Sequence, residues 1–200
     1  MRAFVLGREI SGEKFWRLSV LSAEEGAFAC LVRISAKGAS DVPVLFDEAE
    51  IEFSAKKAGT EGARFVKEYA PAVRHTALGN SYAALLFASR LANLLTANAF
   101  PPDARAAIFA LCGRTISALE VRSRRDAVFF KALWLTARES GLPVRQDWFA
   151  RRTAEEQRSI SGILKNPPDD SLNVPAAETN FLTQNLEDWL AREHDFAFPR

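Results

Sequence analysis

Residues 5–33 read VLGREISGEKFWRLSVLSAEEGAFACLVR, which divides into three short strand-like runs separated by turn segments at residues 11–13 and 23–26. Within the second run, residues 15–22, apolar side chains alternate with a period of two, which is typical of a half-buried strand. A meander with this spacing, at the head of a chain that later becomes helical, predicts a small barrel joined to a helical domain.

Two further strand-like segments follow. Residues 48–53 alternate Glu with Ala, Ile and Phe, which predicts a strand with one apolar and one acidic face. Residues 63–68 predict a short fifth strand, and the loop-like segments 37–43 and 56–62 precede these two strands. Five strands in the first 73 residues fit a closed barrel of the OB-fold type.

From about residue 80 onward the apolar residues recur with the 3.6-residue period of helices. Asn80 or Ser81 suits the N-cap of the first helix, and Pro102 suits the first turn of the second. A third helix, starting at about Asp126, is expected to end at Gly141 in a left-handed glycine cap.

A fourth helix is predicted over residues 153–164, because Thr153 and Glu156 have the spacing of a capping box. The chain closes with an amphipathic helix that carries Leu182, Leu186 and Trp189 on one face. The predicted fold class is therefore α+β: an N-terminal OB-fold β-barrel, residues 1–73, followed by an all-α helical domain, residues 74–200.

The composition, 48% apolar and 26% charged, is ordinary for a soluble globular protein. No apolar run reaches the ~18–20 residues that span a bilayer, so no membrane association is expected. Charge returns at Arg8 and Glu9 after a short apolar run, which argues against a secretory signal. We expect a cytoplasmic protein.

Nothing in the sequence predicts catalysis, a metal or a cofactor. Cys30 and Cys112 are the only cysteines, without a CxxC pair, and both are expected to be buried. The two histidines, His75 and His194, lie in separate regions without an evident nucleophile. The acidic positions of residues 48–52 predict a solvated face, and an enzyme that holds a metal there is the third and weakest reading.

The near-neutral total charge conceals an asymmetry. Residues 1–73 carry a net charge of −1, residues 74–165 carry +7, and residues 166–200 carry −5. A basic middle between acidic ends is typical of a protein that offers one surface to an anion.

The basic side chains that are candidates for binding nucleic acid fall into three groups. Guanidinium and ammonium groups contact phosphates and release counterions, and a neighbouring aromatic ring such as that of Trp148 can stack on a base. The groups are Lys14, Arg17, Arg33 and Lys37 in the barrel, Arg122, Arg124, Arg125 and Lys131 around the start of the third helix, and Arg151 with Arg152 beside Trp148 and Phe149.

The opening of the chain resembles that of the RecO family of DNA repair and recombination mediators. The shared pattern comprises Val5-Leu6, Gly12-Glu13, Leu18, Val20-Leu21-Ser22 and Gly26, followed by Lys37-Gly38-Ala39. The helical part is similar in residues 129–134, in Gly141-Leu142-Pro143 and in the closing Leu186-x-x-Trp189-Leu190. The likeness lies in the order of these features rather than in one motif.

The resemblance implies an OB-fold followed by a helical domain, and a protein without catalytic activity. It also implies binding of single- and double-stranded DNA, annealing of complementary strands, and loading of RecA together with RecR onto DNA coated by single-strand-binding protein. Two departures from the family pattern stand out: the chain lacks the zinc cysteines of many relatives, and Ser40-Asp41 follow Lys37-Gly38-Ala39.

These departures suggest that DNA binding has moved from the barrel to the surface formed by Arg122, Arg124, Arg125, Arg151 and Arg152. Charge reversal at Arg124 and Arg125 is then expected to weaken binding and flatten its salt dependence. The alternative function is an adaptor of the same fold, with little DNA binding of its own, that holds an acidic, hydrophobic-ended peptide such as the C-terminal tail of single-strand-binding protein.

Overall fold

The computed structural model describes residues 1–34, 42–54 and 64–199. Its five strands are β1 (Arg2–Ser11), β2 (Phe15–Ser22), β3 (Gly26–Arg33), β4 (Glu48–Phe53) and β5 (Arg64–Val73). They form a closed barrel in the order β1-β2-β3-β5-β4, with β4 pairing back onto β1. β3 and β5 are parallel and the other neighbours are antiparallel. The predicted OB-fold barrel is confirmed.

The barrel is filled by one face of each strand. Leu18 and Val20 of β2 point inward with Cys30 of β3 and Ile51 of β4, and all four are nearly inaccessible to solvent. Burial of these apolar side chains is the main driving force for closing so small a sheet. Tyr69 belongs to the same cluster, and its hydroxyl donates a 2.7 Å hydrogen bond to the buried carboxylate of Asp47.

β5 is longer than predicted, because it continues through Pro71 to Val73 instead of ending at residue 68. Proline lacks a backbone N–H and is tolerated in a strand where the hydrogen-bond ladder is irregular. Pro71 pairs with Ala49, and the register between β4 and β5 shifts at this point. The proline therefore lies within the strand and does not end it.

Five α-helices follow the barrel, which confirms the predicted α+β class. They are α1 (Tyr82–Ala97), α2 (Arg105–Val121), α3 (Arg125–Glu139), α4 (Ala154–Lys165) and α5 (Ala176–His194). Among the described residues none of these helices has the length and apolar content needed to cross a lipid bilayer.

Local capping chemistry explains most helix ends. The Ser81 hydroxyl accepts the backbone N–H of Ala84, and Thr153 with Glu156 forms the predicted capping box. Gly141, at φ +79°, ends α3 as predicted. The prediction for Pro102 was wrong, because a turn over residues 101–104 precedes α2 and the helix begins at Arg105.

Barrel and helices share one hydrophobic core. Phe4 and Leu21 point away from the barrel interior and pack against apolar residues of α1 and α2. The approach is close at Gly113 of α2, where a Cβ atom would lie 2.9 Å from the Phe4 ring. The strands end at Val73 and the first helical turn begins at Thr76, but the division into domains at residues 73/74 stays a prediction because the two parts are packed together.

A second core lies within the helical part and is built around α3. Phe130, Leu133 and Trp134 of α3 contact Trp148 and the apolar face of α5. This packing leaves the opposite side of α3, with Lys131, Leu135 and Arg138, at the surface. The predicted burial of Cys30 and Cys112 is confirmed, and both are free thiols.

Candidate nucleic-acid interface

The outer face of β2 and β3 carries two of the barrel cations predicted from the sequence. Arg17 pairs with Leu31 across the sheet, and Arg33 pairs with Phe15, so both arginines lie on the same side. Both are exposed, and Arg17 makes a 3.1 Å surface ion pair with Glu9. Such exposed pairs are worth at most about 1 kcal/mol, so a phosphate can displace the carboxylate.

An aromatic pair lies between these cations. The rings of Phe15 and Phe65 are 5.5 Å apart and nearly perpendicular, and Phe65 is 45% exposed. Lys14 lies in the turn between β1 and β2, and its carbonyl oxygen accepts the N–H of Ile34, next to Arg33. We call Lys14, Phe15, Arg17, Arg33 and Phe65 the barrel face. Lys37 lies outside the described residues.

The acidic positions of β4 are neutralised by ion pairs. Glu48 pairs with Arg2, Glu50 with the N-terminal ammonium group, and Glu52 with Lys67. No group of three or more His, Cys, Asp or Glu side chains among the described residues is arranged to hold a metal ion. His75 is engaged as well, because its Nδ1 lies 2.8 Å from the Glu120 carboxylate.

Arg124 is not available to a ligand, because its guanidinium group is used inside the protein. Nε and Nη2 form a bidentate pair with Asp126 at 3.0 and 2.7 Å. Nη2 also donates to Thr179, and Nη1 to the carbonyl of Leu172. Only 16% of the side chain is exposed. The hydrogen bond to Asp126 raises the pKa of Arg124. The contacts with Thr179 and Leu172 tie the start of α3 to α5 and its preceding loop.

The neighbouring cations differ in their exposure. Arg122 is exposed at the end of α2, and Arg125 is half-buried with Nε donating to the carbonyl of Leu119. Lys131 donates to the carbonyl of Asn166 at 2.6 Å. Burial lowers the pKa of Lys131, and the nearby charge of Arg122 lowers it further. An anion placed between Arg122 and Lys131 would relieve this repulsion.

The remaining predicted pair is largely committed to contacts within the protein. Arg151 forms ion pairs with Asp147 and with Glu193. Arg152 lies over the ring of Trp148, with the guanidinium carbon 5.3 Å from the ring centre. Trp148 itself is buried in the second core and has no face free for a base.

On the exposed side of α3 the structure brings the predicted Arg122 and Lys131 together with cations that the sequence analysis did not single out. We call this surface the basic strip, and it comprises Arg114, Arg122, Lys131, Arg138, Arg145 and Lys165. Lys131, Leu135 and Arg138 follow each other at helical spacing on α3. Arg138 pairs with Glu139, whereas the other five have no ion pair with any residue of the described ranges.

Two depressions run along the basic strip. The α2–α3 groove is shallow, with a volume of about 120 Å³, and has an apolar floor bordered by Arg114 and Lys131. The α3–α4 cleft is larger, with a volume of about 570 Å³. Its lining is Trp134, Arg138, residues 141–146, Phe149, Ser161, Leu164 and Lys165. Within the described part of the chain no acidic side chain lines either depression.

The sequence contained a signal for only part of this surface. Arg138 follows Lys131 by seven residues, so the apolar period of α3 already placed both on one exposed face. Arg114, Arg145 and Lys165 come from three other segments and meet α3 only through tertiary packing. Phe65 joins Phe15 through the pairing of β3 with β5, which no local pattern predicts.

Fold and surface together define a class of architecture: an OB-fold barrel packed on a helical bundle, with a cationic, partly apolar surface on the bundle. No known family model matches the chain, and no curated protein matches its sequence. Membership of the RecO family therefore stays a prediction from the sequence motifs.

Proposed function

We propose that this protein is a DNA-binding recombination mediator that acts in DNA repair without catalysis. It binds single strands, anneals complementary strands and, with RecR, helps load RecA onto DNA coated by single-strand-binding protein. The resemblance of its motifs to those of the RecO family implies these partners. It also implies binding of double-stranded DNA.

The observation that carries the proposal is the basic strip. Five of its cations lack an ion pair within the described residues, although Lys131 donates to the carbonyl of Asn166 and Arg122 lies within electrostatic range of Asp169. Because no direct ion pair neutralises them, their charges can attract phosphates. Each phosphate contact releases counterions, which favours binding independently of sequence. Annealing requires the repulsion between two strands to be screened, and a strip of cations lowers that repulsion.

The barrel face supports the proposal from the other part of the molecule. OB-fold barrels commonly bind single strands with cations that contact phosphates and aromatic rings that stack on bases. Phe15 and Phe65 offer such rings between Arg17 and Arg33. The barrel thus keeps a platform for bases although its net charge is −1.

The test is a fluorescence-anisotropy titration with labelled single-stranded DNA between about 50 and 200 mM salt. We expect binding that falls steeply with salt. Arg114→Glu combined with Lys131→Glu is expected to reduce the slope of log K against log salt by about 1 for each lost phosphate contact. Arg192→Glu is the matched control, because Arg192 is 80% exposed on α5 and lies outside the basic strip.

Absence of binding at low salt would overturn the proposal. If Arg114→Glu combined with Lys131→Glu leaves the slope of log K against log salt unchanged, the basic strip is not the DNA-binding surface. In that case the barrel face becomes the binding surface, and Arg17→Glu with Arg33→Glu must then flatten the slope instead.

The α2–α3 groove favours a second candidate function, an adaptor that binds an acidic peptide with an apolar end. Its floor includes Leu111, Val128 and Leu135, and its volume suits one apolar side chain, with Arg114 and Lys131 placed for carboxylates. The tail of single-strand-binding protein is the partner of this chemistry that the resemblance implies. Tight peptide binding, with no DNA binding by the protein alone, would favour this function over the first.

A further inference from the structure

The α3–α4 cleft combines an apolar wall with groups that recognise anions. Trp134 and Phe149 meet edge to face, with ring centres 6.0 Å apart, and Leu142 and Leu164 extend the apolar surface. Its volume of about 570 Å³ falls within the range of about 300–1,000 Å³ that is usual for sites of small ligands.

Three cations approach this wall from three different segments. Arg138 belongs to α3, Arg145 to the loop after it and Lys165 to the end of α4. Arg138 is partly neutralised by Glu139, whereas Arg145 and Lys165 make no ion pair with a described residue. The free positive charge therefore lies at the rim, beside the apolar wall.

Neutral hydrogen-bonding groups lie between the wall and the rim. The side chains of Gln146 and Ser161 line the cleft and make no hydrogen bond within the described ranges. An amide offers both donors and acceptors, and a hydroxyl can do either. Such a pair matches the edge of a nucleobase, which also presents both kinds of group.

The wall is held in place before any ligand arrives. The glycine cap at Gly141 sets the turn after α3, and the N–H of Leu142 donates to the carbonyl of Ala137. The N–H of Phe149 donates to the carbonyl of Val144, while the side chain of Gln157 donates to the carbonyl of Phe149. A preformed site loses less entropy on binding than one that must be ordered.

We propose that the α3–α4 cleft binds one unpaired nucleotide of single-stranded DNA. The base packs against Phe149 beside Trp134, Gln146 and Ser161 contact the edge of the base, and Arg145 and Lys165 bind the flanking phosphates. A paired base in a duplex cannot enter, because both its faces are covered by stacking. This inference rests on the proposed function and assigns to the cleft a preference for single strands.

The experiment compares two labelled single-stranded probes with the same phosphates: a short oligodeoxythymidylate and an oligonucleotide of equal length made of abasic sites. Ser161→Trp fills the cleft without changing charge, and Gln146→Trp narrows its mouth if Ser161→Trp does not fold. Arg145→Glu with Lys165→Glu tests the rim, and Arg192→Glu is the control for a change of charge alone. Circular dichroism and thermal unfolding verify that each variant is folded.

We expect wild type to bind the thymidine probe about tenfold or more tightly than the abasic probe, since base stacking is worth about 1–3 kcal/mol per base. Ser161→Trp should reduce this preference, with the remainder coming from stacking on Phe15 and Phe65 of the barrel face, and should leave binding of the abasic probe within about twofold, since its phosphate contacts remain. The rim variants should weaken binding of both probes, and Arg192→Glu should weaken neither beyond the effect of net charge.

Other outcomes distinguish failure of the proposed function from failure of the cleft inference alone. If wild type binds neither probe, the proposed function fails and the cleft inference fails with it. If wild type binds DNA and Ser161→Trp leaves its preference between the two probes unchanged, the function stands and the cleft inference is overturned. Loss of acidic-peptide binding in Ser161→Trp, with thymidine binding intact, would also overturn it and make the cleft a peptide site.

Discussion

Removal of the Arg124 side chain is predicted to destabilise the protein without weakening DNA binding by the folded molecule. Arg124→Ala would delete the bidentate contact with Asp126 and the hydrogen bonds to Thr179 and Leu172. Asp126 would keep its negative charge with only 10% of its side chain exposed.

The size of the effect follows from this burial. Removing one partner of a buried ion pair costs about 3–5 kcal/mol, because the other charge is left uncompensated. Asp126 lies in the first turn of α3, where the helix dipole favours a negative charge by about 0.3–1 kcal/mol. We therefore expect a loss of about 2–4 kcal/mol in the free energy of unfolding, or a fall in Tm of about 5–15 °C for a chain of this length.

Urea unfolding of Arg124→Ala measures the loss, and Arg122→Ala is the matched control because Arg122 is exposed two residues away. In a double-mutant cycle, Arg124→Ala and Asp126→Ala should show a coupling above about 1 kcal/mol. A loss no larger than that of Arg122→Ala would refute the structural role. So would a large drop in DNA affinity of the folded Arg124→Ala protein, since that would restore Arg124 as a phosphate ligand.

Three further predictions concern stability and reactivity. Gly141→Ala should lower the free energy of unfolding by about 1–2 kcal/mol, since the φ of +79° at this position is unfavourable for alanine. Gly79 has neither a positive φ nor a close neighbour, so Gly79→Ala should cause a smaller loss in the same urea titration. Gly113→Val should lower the free energy of unfolding by about 1–3 kcal/mol, because α2 lies against Phe4 of the barrel at this position. An unchanged Tm would contradict that packing. Burial raises the pKa of Cys30 to about 11 and raises that of Cys112 as well. Ellman's reagent at neutral pH should therefore label neither thiol until urea is added. Labelling of the native protein would mean that the barrel or α2 opens.

Those parts of the fold that depend on local chemistry could be predicted from the sequence. The alternation in β2, the hydroxyls of Ser81 and Thr153 and the glycine after α3 each act within a few residues. Pro102 misled the prediction because a proline suits a turn as well as a first helical turn. The strand predicted over residues 63–68 was too short, because an irregular ladder accommodates Pro71 within β5.

The candidate surface was less predictable, because charge in a sequence does not reveal the partner of that charge. Arg124 looked like the centre of a basic cluster, yet two of its partners lie 48 and 55 residues further along the chain. No local sequence pattern pointed to Arg145 and Lys165, and their proposed role follows only from the cleft that both residues line. Long-range packing therefore decides which arginines are structural and which are free.

The shared core of barrel and helices has a consequence for any ligand long enough to touch both surfaces. Phe4 and Leu21 pack the barrel against α1 and α2, so the barrel face and the basic strip belong to one packed unit. Once such a ligand is held at one surface, contact with the other becomes an intramolecular step with a high effective concentration. This advantage applies only to ligands whose length and curvature match the distance between the barrel face and the basic strip. The core that stabilises the fold therefore also favours ligands of a particular shape.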